Sequence, residues 1–274
     1  MSDPLAVPVR APLPDDVHVA LDAVGDRLGL FADRIHWYSE ITSTNDLVAT
    51  LAESGEREGV VVAADAQNAG RGRFGRVWAS PPGAGIYASV LLRPQPAVIR
   101  LVTIAAGVAL VDGIRAATGL PLQLKWPNDV VTGPAVAERK VAGILAEGGS
   151  EIDGRPWVVL GFGVNVLNAA LPREVAARAT SLEQELGRPA DRGLVLAACL
   201  AALANRYAQL QQGDATTVVA DWRSRAAGTL GRSVEWNDGT NRQGTARDVD
   251  EDGALIIATG DRVVKIISGE LRWL

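Results

Sequence analysis

A chain of 274 residues with a formal net charge of −5 has no global attraction for nucleic acid or an anionic membrane, so any basic site must be local. A hydrophobic share of 47% against 22% charged residues is that of a globular protein with a sizeable core in one or two domains. Cys199 is the only cysteine, which excludes an internal disulfide; with His18 and His36 as the only histidines, it cannot build the usual all-protein zinc site.

Taken in chain order, residues 1–14 are Pro-rich, lack the basic and apolar regions of a signal peptide, and read as a flexible leader. Residues 15–30 place Val17, Leu21, Val24 and Leu28 at helical spacing. A short strand is expected at 34–38. Ser43-Thr44-Asn45-Asp46 then opens a helix to Ala52, its hydroxyls being natural N-caps. Strands are expected at 59–64 and 85–92, and a long helix at 97–118, ended by Gly119. The most apolar stretch of that helix, 101–111, is too short to span a bilayer. Residues 122–126 read as a strand that Val130 and Val131 continue beyond Pro127. Strands at 140–147 and 157–166 and helices at 193–211 and 216–226 follow. After Gly228, short β-prone runs at 233–236, 245–249, 254–258 and 262–267 alternate with Asp-Gly, Asn and Gly turns. The expected organisation is a leader (1–14), an α+β main domain with a mixed sheet (15–227) and a small SH3-like β-barrel (228–274).

Residues 70–76, GRGRFGR, satisfy the dinucleotide pattern G-x-G-x-x-G, but a Rossmann turn also needs a helix after the glycines and an acid about 20 residues on. Pro81 and Pro82 deny the helix, and no Asp or Glu lies between Asp65 and Asp112. No Gly-Lys-Ser/Thr follows, so the segment is not a Walker loop either. What remains is a flexible glycine loop with Arg71, Arg73 and Arg76, whose guanidinium groups suit phosphate or carboxylate, and with Trp78 to stack on a ring. The lack of nearby acids argues against a merely solvated basic loop. Residues 70–85 are expected to be mobile until a ligand orders them.

Further stretches carry related chemistry: KWPND (125–129) sets a cation, an amide and a carboxylate around a rigid proline, and RKVAGILAE (139–147) starts an apolar strand with two cations. GFGVN (161–165) is a strand open to close approach. Together with Ser43-Thr44-Asn45, Gln67, GRGRFGR, Trp78 and Ser80-Pro81-Pro82-Gly83, these motifs resemble the biotin protein ligases, in family order from about residue 35 to the C-terminus. The resemblance implies a mixed-sheet catalytic domain of the biotin/lipoate ligase type, related to class II aminoacyl-tRNA synthetases, followed by the β-rich domain. It implies activation of biotin by ATP and Mg²⁺ to biotinyl-5′-adenylate, then transfer to a lysine of a biotin carboxyl carrier domain of acyl-CoA or pyruvate carboxylases.

By the same resemblance, Lys140, Arg71, Arg73 and Asp129 carry catalysis. Lys140 would bridge carboxylate and α-phosphate, the two arginines would clamp anions, and Asp129 would orient or deprotonate the acceptor amine. Ser43, Thr44, Asn45, Gln67, Gly70, Arg71, Lys140 and Gly143 would hold biotin. Arg73, Arg76, Trp78 and Asn165 would meet the nucleotide, Asn165 also its Mg²⁺. No protein metal site, nucleic acid or membrane is implied, and a cytoplasmic protein is expected. The chain departs from the two-function repressor members in having 42 residues before Ser43, and from the regulatory members in having Ala179-Thr180-Ser181 where they carry a tryptophan. It therefore resembles the short, monofunctional class. Arg272 stands near a family arginine that reaches the adenylate.

Two rival readings are a lipoate or octanoyl ligase or transferase of the same fold, and a non-enzymatic nucleic-acid binder. The cysteine of a transferase has no counterpart if Cys199, in LVLAACLAALA, is core. The acids of the β-rich region (Asp238, Asp248, Asp250, Glu251, Asp252, Asp261) disfavour nucleic acid.

Overall fold

The computed structural model describes residues 8–150, 154–237, 239–260 and 262–274. Within the expected leader, Ala11 donates its N–H to the Trp37 carbonyl at 2.8 Å, so residues 8–14 are attached to the body at that point rather than free. Helix α1 (Asp15–Val24) has Asp15 and Asp16 in its first turn, where acids suit the helix dipole. The single helix expected to residue 30 breaks at Gly25 (φ 46°) and continues as a 3-10 segment over Gly25–Phe31. Strand β1 (Ile35–Ile41) and helix α2 (Thr44–Glu53) follow, with the Ser43 hydroxyl capping the Asp46 N–H. Strands β2 (Val61–Gln67) and β3 (Gly85–Leu92) are apolar runs, and β3 is buried along its whole length.

A 3-10 turn (Pro96–Leu101) leads into α3 (Val102–Thr118), which ends at Gly119 in the left-handed region. The next stretch corrects the sequence reading. β4 (Gln123–Lys125) and β5 (Asp129–Thr132) are not one strand but an antiparallel pair, with Lys125 opposite Asp129. KWPND is thus a tight reversal around a cis Trp126–Pro127 peptide. β6 (Arg139–Ser150) and β7 (Pro156–Asn165) are long neighbours. α4 (Leu182–Leu186), capped by Ser181, was not anticipated; α5 (Arg192–Gln211) and α6 (Ala215–Ser224) were.

The seven strands form the expected mixed sheet, ordered β1-β2-β3-β7-β6-β5-β4, in which β1 and β2 are parallel and the remaining neighbours antiparallel. Helices α1, α3, α5 and α6 belong to the main apolar cluster on one face. Gly113 lets α3 meet α5 backbone to backbone, since a Cβ there would lie 2.6 Å from the Cys199 Cα. Residues 96–118 and 192–211 are apolar and long enough to cross a membrane by composition, yet both are mostly buried in this core. On the opposite face, α2 covers β2, β3 and β7 with its own apolar cluster, leaving β6 and the ends of β7 and β5 uncovered by helix.

After residue 228 comes a five-stranded antiparallel sheet: β8 (Ser233–Asn237), β9 (Asn241–Val249), β10 (Leu255–Thr259), β11 (Arg262–Ile266) and β12 (Arg272–Trp273), ordered β11-β10-β9-β8-β12. This sheet stands where the small barrel was expected; Asp238 and Asp261 lie outside the described residues. It is not a separate body. Val234, Trp236, Ala246, Val249, Leu255 and Ile257 join the main core cluster, and the Trp126 indole N–H donates to the Gly253 carbonyl at 3.1 Å.

Candidate active site

The uncovered sheet face is shaped by one extra residue. Asp129 pairs with Gly143 and Val130 with Ala142, but Val131 pairs with Lys140, so Val141 is a β-bulge. In a regular strand Lys140 and Gly143, three apart, would face opposite ways. The bulge sends Val141 and Ala142 both into the helical core, fully buried, and brings Lys140 to the face that carries Gly143 and Asp129. There Lys140 Nζ lies 2.6 Å from Asp129 Oδ1.

Glycines make the floor. Gly143 stands opposite Gly163, and Gly161 opposite Leu145. A Cβ on Gly163 would lie 2.5 Å from Trp78 Cε2 and Nε1; one on Gly143 would lie 2.7 Å from Lys140 Nζ and 3.1 Å from Trp78 Cζ3. The Trp78 indole therefore rests on bare backbone, with its buried Nε1 lacking any partner. Lys140 Nζ sits 5.2 Å from the centre of the same ring.

A polar wall closes one end. Gln67 Oε1 accepts from the Thr44 N–H at 2.8 Å and the Thr44 hydroxyl at 3.1 Å, and Gln67 Nε2 donates to Ser80 Oγ at 2.9 Å. Ser89, fully buried in mid-β3, reaches Asn45 Oδ1 at 2.6 Å and Thr44 Oγ1 at 2.7 Å. Its single proton serves one of them at a time. Sequence reasoning missed Ser89; the available signal was a lone hydroxyl inside the apolar run GIYASVLL. Asn45 is pressed against the floor, since a Cβ on Gly161 would lie 1.9 Å from its Oδ1.

The glycine loop has the form of a hairpin. Trp78 N–H donates to the Gly70 carbonyl at 2.9 Å, Arg71 bridges to Val77, and Gly72 N–H donates to the Arg76 carbonyl at 2.7 Å. Gly70 must be glycine, because a Cβ would lie 2.4 Å from the Trp78 carbonyl oxygen. Nor do the arginines lack acids: these come from elsewhere in the chain. Arg71 meets Asp46 at 2.6 Å and Glu147 at 2.9 Å, and Arg76, largely exposed, pairs with Glu270. Arg73 differs. Among the described residues no carboxylate pairs with it; it holds Asn128 Oδ1 at 3.4 Å and packs on Phe74. Burial pushes its pKa down, only partly opposed by the nearby Asp129.

Asn165 lines the cavity and has a second engagement. Its Nδ2 donates to the Thr180 carbonyl at 3.1 Å and the Lys140 carbonyl at 3.5 Å, while Lys140 N–H donates to the Arg178 carbonyl and Thr180 N–H to the Lys140 carbonyl, both at 2.9 Å. It thereby ties the covering segment, with Leu171, Val175 and Ala179, to the strand that carries Lys140. Arg272 turns away to Glu235; Leu271 and Trp273 line the cavity in its place. Lys125 and Arg232 both pair with Glu138 beside the Trp273 ring.

The structure brings Ser43, Thr44, Asn45, Gln67, Arg71, Arg73, Arg76, Trp78, Asp129, Lys140, Gly143 and Asn165 around one cavity of about 460 Å³; Gly70 supports it from behind. That volume suits a small molecule. Uncompensated positive charge, a flat ring, a bare floor and a polar wall can together hold a cyclic ligand that bears an anion. Among the described residues, no group of three or more His, Cys, Asp or Glu is placed to hold a metal.

Cys199 lies outside this cavity. It is fully buried in α5, and burial pushes its thiol up to about 12, so it is neither thiolate nor accessible. In the folded protein Ellman's reagent at pH 8 should leave it unmodified, and full reaction should appear only in denaturant; prompt native reaction would contradict this burial.

Comparison with known proteins agrees with the geometry. The biotin/lipoate A/B protein ligase family matches residues 37–165, and the biotin protein ligase C-terminal domain matches residues 229–271. The biotin–[acetyl-CoA-carboxylase] ligase of Mycobacterium tuberculosis is 38% identical over 239 residues, covering 84% of this chain and 85% of that one. The bifunctional ligase/repressor BirA of Bacillus spizizenii is 36% identical over 84% of this chain and 71% of its own length. Among solved structures, the Aquifex aeolicus biotin protein ligase in complex with biotin and ATP superimposes with a TM-score of 0.75 at 29% identity, over 88% of this chain and all of that one.

Proposed function

As the chain belongs to the biotin protein ligase family, we propose that its cavity joins biotin to AMP at the expense of ATP and passes the biotinyl group to a lysine of a carboxylase carrier domain. The observation that carries this reading is the pair Arg73 and Lys140: two cations on one cavity, one with no carboxylate partner among the described residues and the other paired with Asp129. In the first step a carboxylate oxygen of biotin bonds to the α-phosphorus and the bond to the bridging oxygen breaks, releasing pyrophosphate. Two anions approach each other, so fixed positive charge lowers the barrier. Arg73 and Lys140 supply it.

In the second step the acceptor amine attacks the biotinyl carbonyl, and the acyl–phosphate bond breaks to free AMP. Asp129, held at Lys140, is the carboxylate in reach of the ammonium proton. Ser43, Thr44, Asn45 and Gln67 offer the mixed donors and acceptors that a cyclic urea requires, and Gly143 lets biotin lie on the backbone. Trp78 would pack on the adenine and Arg76 would face the pyrophosphate side. Arg71 is the weaker clamp, being already paired twice. Magnesium would enter with ATP, held mainly by phosphate oxygens, since such sites need only one or two carboxylates.

The acceptor is a biotin carboxyl carrier domain of an acyl-CoA or pyruvate carboxylase. A cytoplasmic setting suits the lone buried thiol. The proposal includes neither nucleic acid nor membrane. ATP–pyrophosphate exchange tests it: exchange should depend on biotin, and should stay at background with lipoate or octanoate. Exchange driven by lipoate alone would replace this reading with the rival one.

A further inference from the structure

The pairing of Arg71 points to a residue that has no role in the reading above. Glu147, the last residue of RKVAGILAE, stands on the site face of β6 beyond Leu145. Its Oε2 accepts from Asn45 Nδ2 at 2.7 Å and from Arg71 Nη2 at 2.9 Å. Asn45 is in turn bound by Ser89 through Oδ1, and Arg71 by Asp46. One carboxylate oxygen thus joins the polar wall at the start of α2 to the glycine hairpin that carries Arg73 and Trp78. Asp46, in the first turn of α2, pairs with the same guanidinium but its carboxylate reaches no wall side chain among the described residues, whereas Glu147 holds Arg71 and Asn45 together.

We propose that Glu147 is a positioning residue that couples the glycine hairpin to the polar wall through Arg71 and Asn45. An isolated, half-exposed ion pair would do little. Here the carboxylate shares two donors whose other ends are fixed, and such networks hold geometry where single pairs do not. Arg71 acts through this bracket: its charge is matched by two carboxylates, whereas among the described residues that of Arg73 is paired with none. Coupling has a functional sense. Wall and hairpin both border the cavity, so a ligand that touches both is held in register only if they keep a fixed spacing.

The proposal rests on the reading above for its kinetic arm alone. Hydrogen exchange of the amides of residues 70–78, without ligand, tests it independently. Glu147→Gln keeps an acceptor for Asn45 but removes the charge facing Arg71. Exchange across the hairpin should quicken by about three- to tenfold, the size expected for one ion pair in a network. In ATP–pyrophosphate exchange, KM for biotin should rise by a similar factor, with kcat within about threefold of the parent. Arg71→Ala alone should loosen the hairpin likewise, and the double variant should be no looser than the worse single one, because both changes break the same link. Unchanged hairpin exchange in Glu147→Gln, or full additivity of the two substitutions, would overturn the role. A parent enzyme without biotin-dependent exchange would remove the biotin reading, and the hairpin measurement would still decide on Glu147.

Discussion

Lys140→Ala should lower biotin-dependent adenylate formation by about two to three orders of magnitude, the usual consequence of deleting an oriented charge donor at a developing anion. The structure makes the loss double. Removing Nζ takes away a cation held by the bulge at Val141 and leaves Asp129, 2.6 Å away in the parent, as an unopposed carboxylate facing two incoming anions. The fold should survive, because the side chain meets the cavity and not the core. Single-turnover formation of biotinyl-adenylate, with thermal unfolding as control, measures both. A variant with near-parental turnover and an unchanged melting temperature would strip Lys140 of its role.

Arg73→Gly should make activated biotin escape. Arg73 is the hairpin's one arginine without a carboxylate partner among the described residues, so the anionic ligand is its natural counter-ion. Charge-assisted contacts contribute about 1.5–3 kcal/mol, so release should quicken by roughly ten- to a hundredfold. A mixed anhydride in free solution acylates exposed lysines indiscriminately. The variant should therefore label a bystander such as serum albumin, while the parent labels its carrier domain alone. Arg71→Ala, which breaks a bracket and only the weaker clamp on the anion, should label the bystander far less. Equal bystander labelling by the two variants would erase the distinction drawn between them.

The strands and most helices were legible because their signals are local: apolar runs for β2 and β3, a serine cap for α2, a left-handed glycine after α3. Which residues share the cavity was legible where residue type sufficed, as with Lys140, Asp129, Arg73 and the glycines of β7. Failures came where the third dimension decides. Pro127 was read as an interruption within one strand, but the strand pairs back on itself there, with Lys125 opposite Asp129. The acid-free stretch around GRGRFGR suggested unpaired arginines, yet Asp46, Glu147 and Glu270 reach them from distant positions. The bulge at Val141 leaves no mark in a pattern of apolar letters; only pairing with β5 shows it. That Asn165, which lines the cavity, also gives its Nδ2 to two main-chain carbonyls could not be read from its residue type.

The bare floor also bears on inhibition. An inhibitor that draws its affinity from side chains can be evaded by changing them. One that lies against the backbone of Gly143, Gly161 and Gly163 offers no such escape, since the only available change is to add atoms. Any added Cβ would come within 2.7 Å of Lys140 Nζ, 1.9 Å of Asn45 Oδ1 or 2.5 Å of the Trp78 ring, groups that the natural substrate is proposed to use. Resistance through the floor would thus be self-limiting: each escape substitution should depress catalysis together with drug binding.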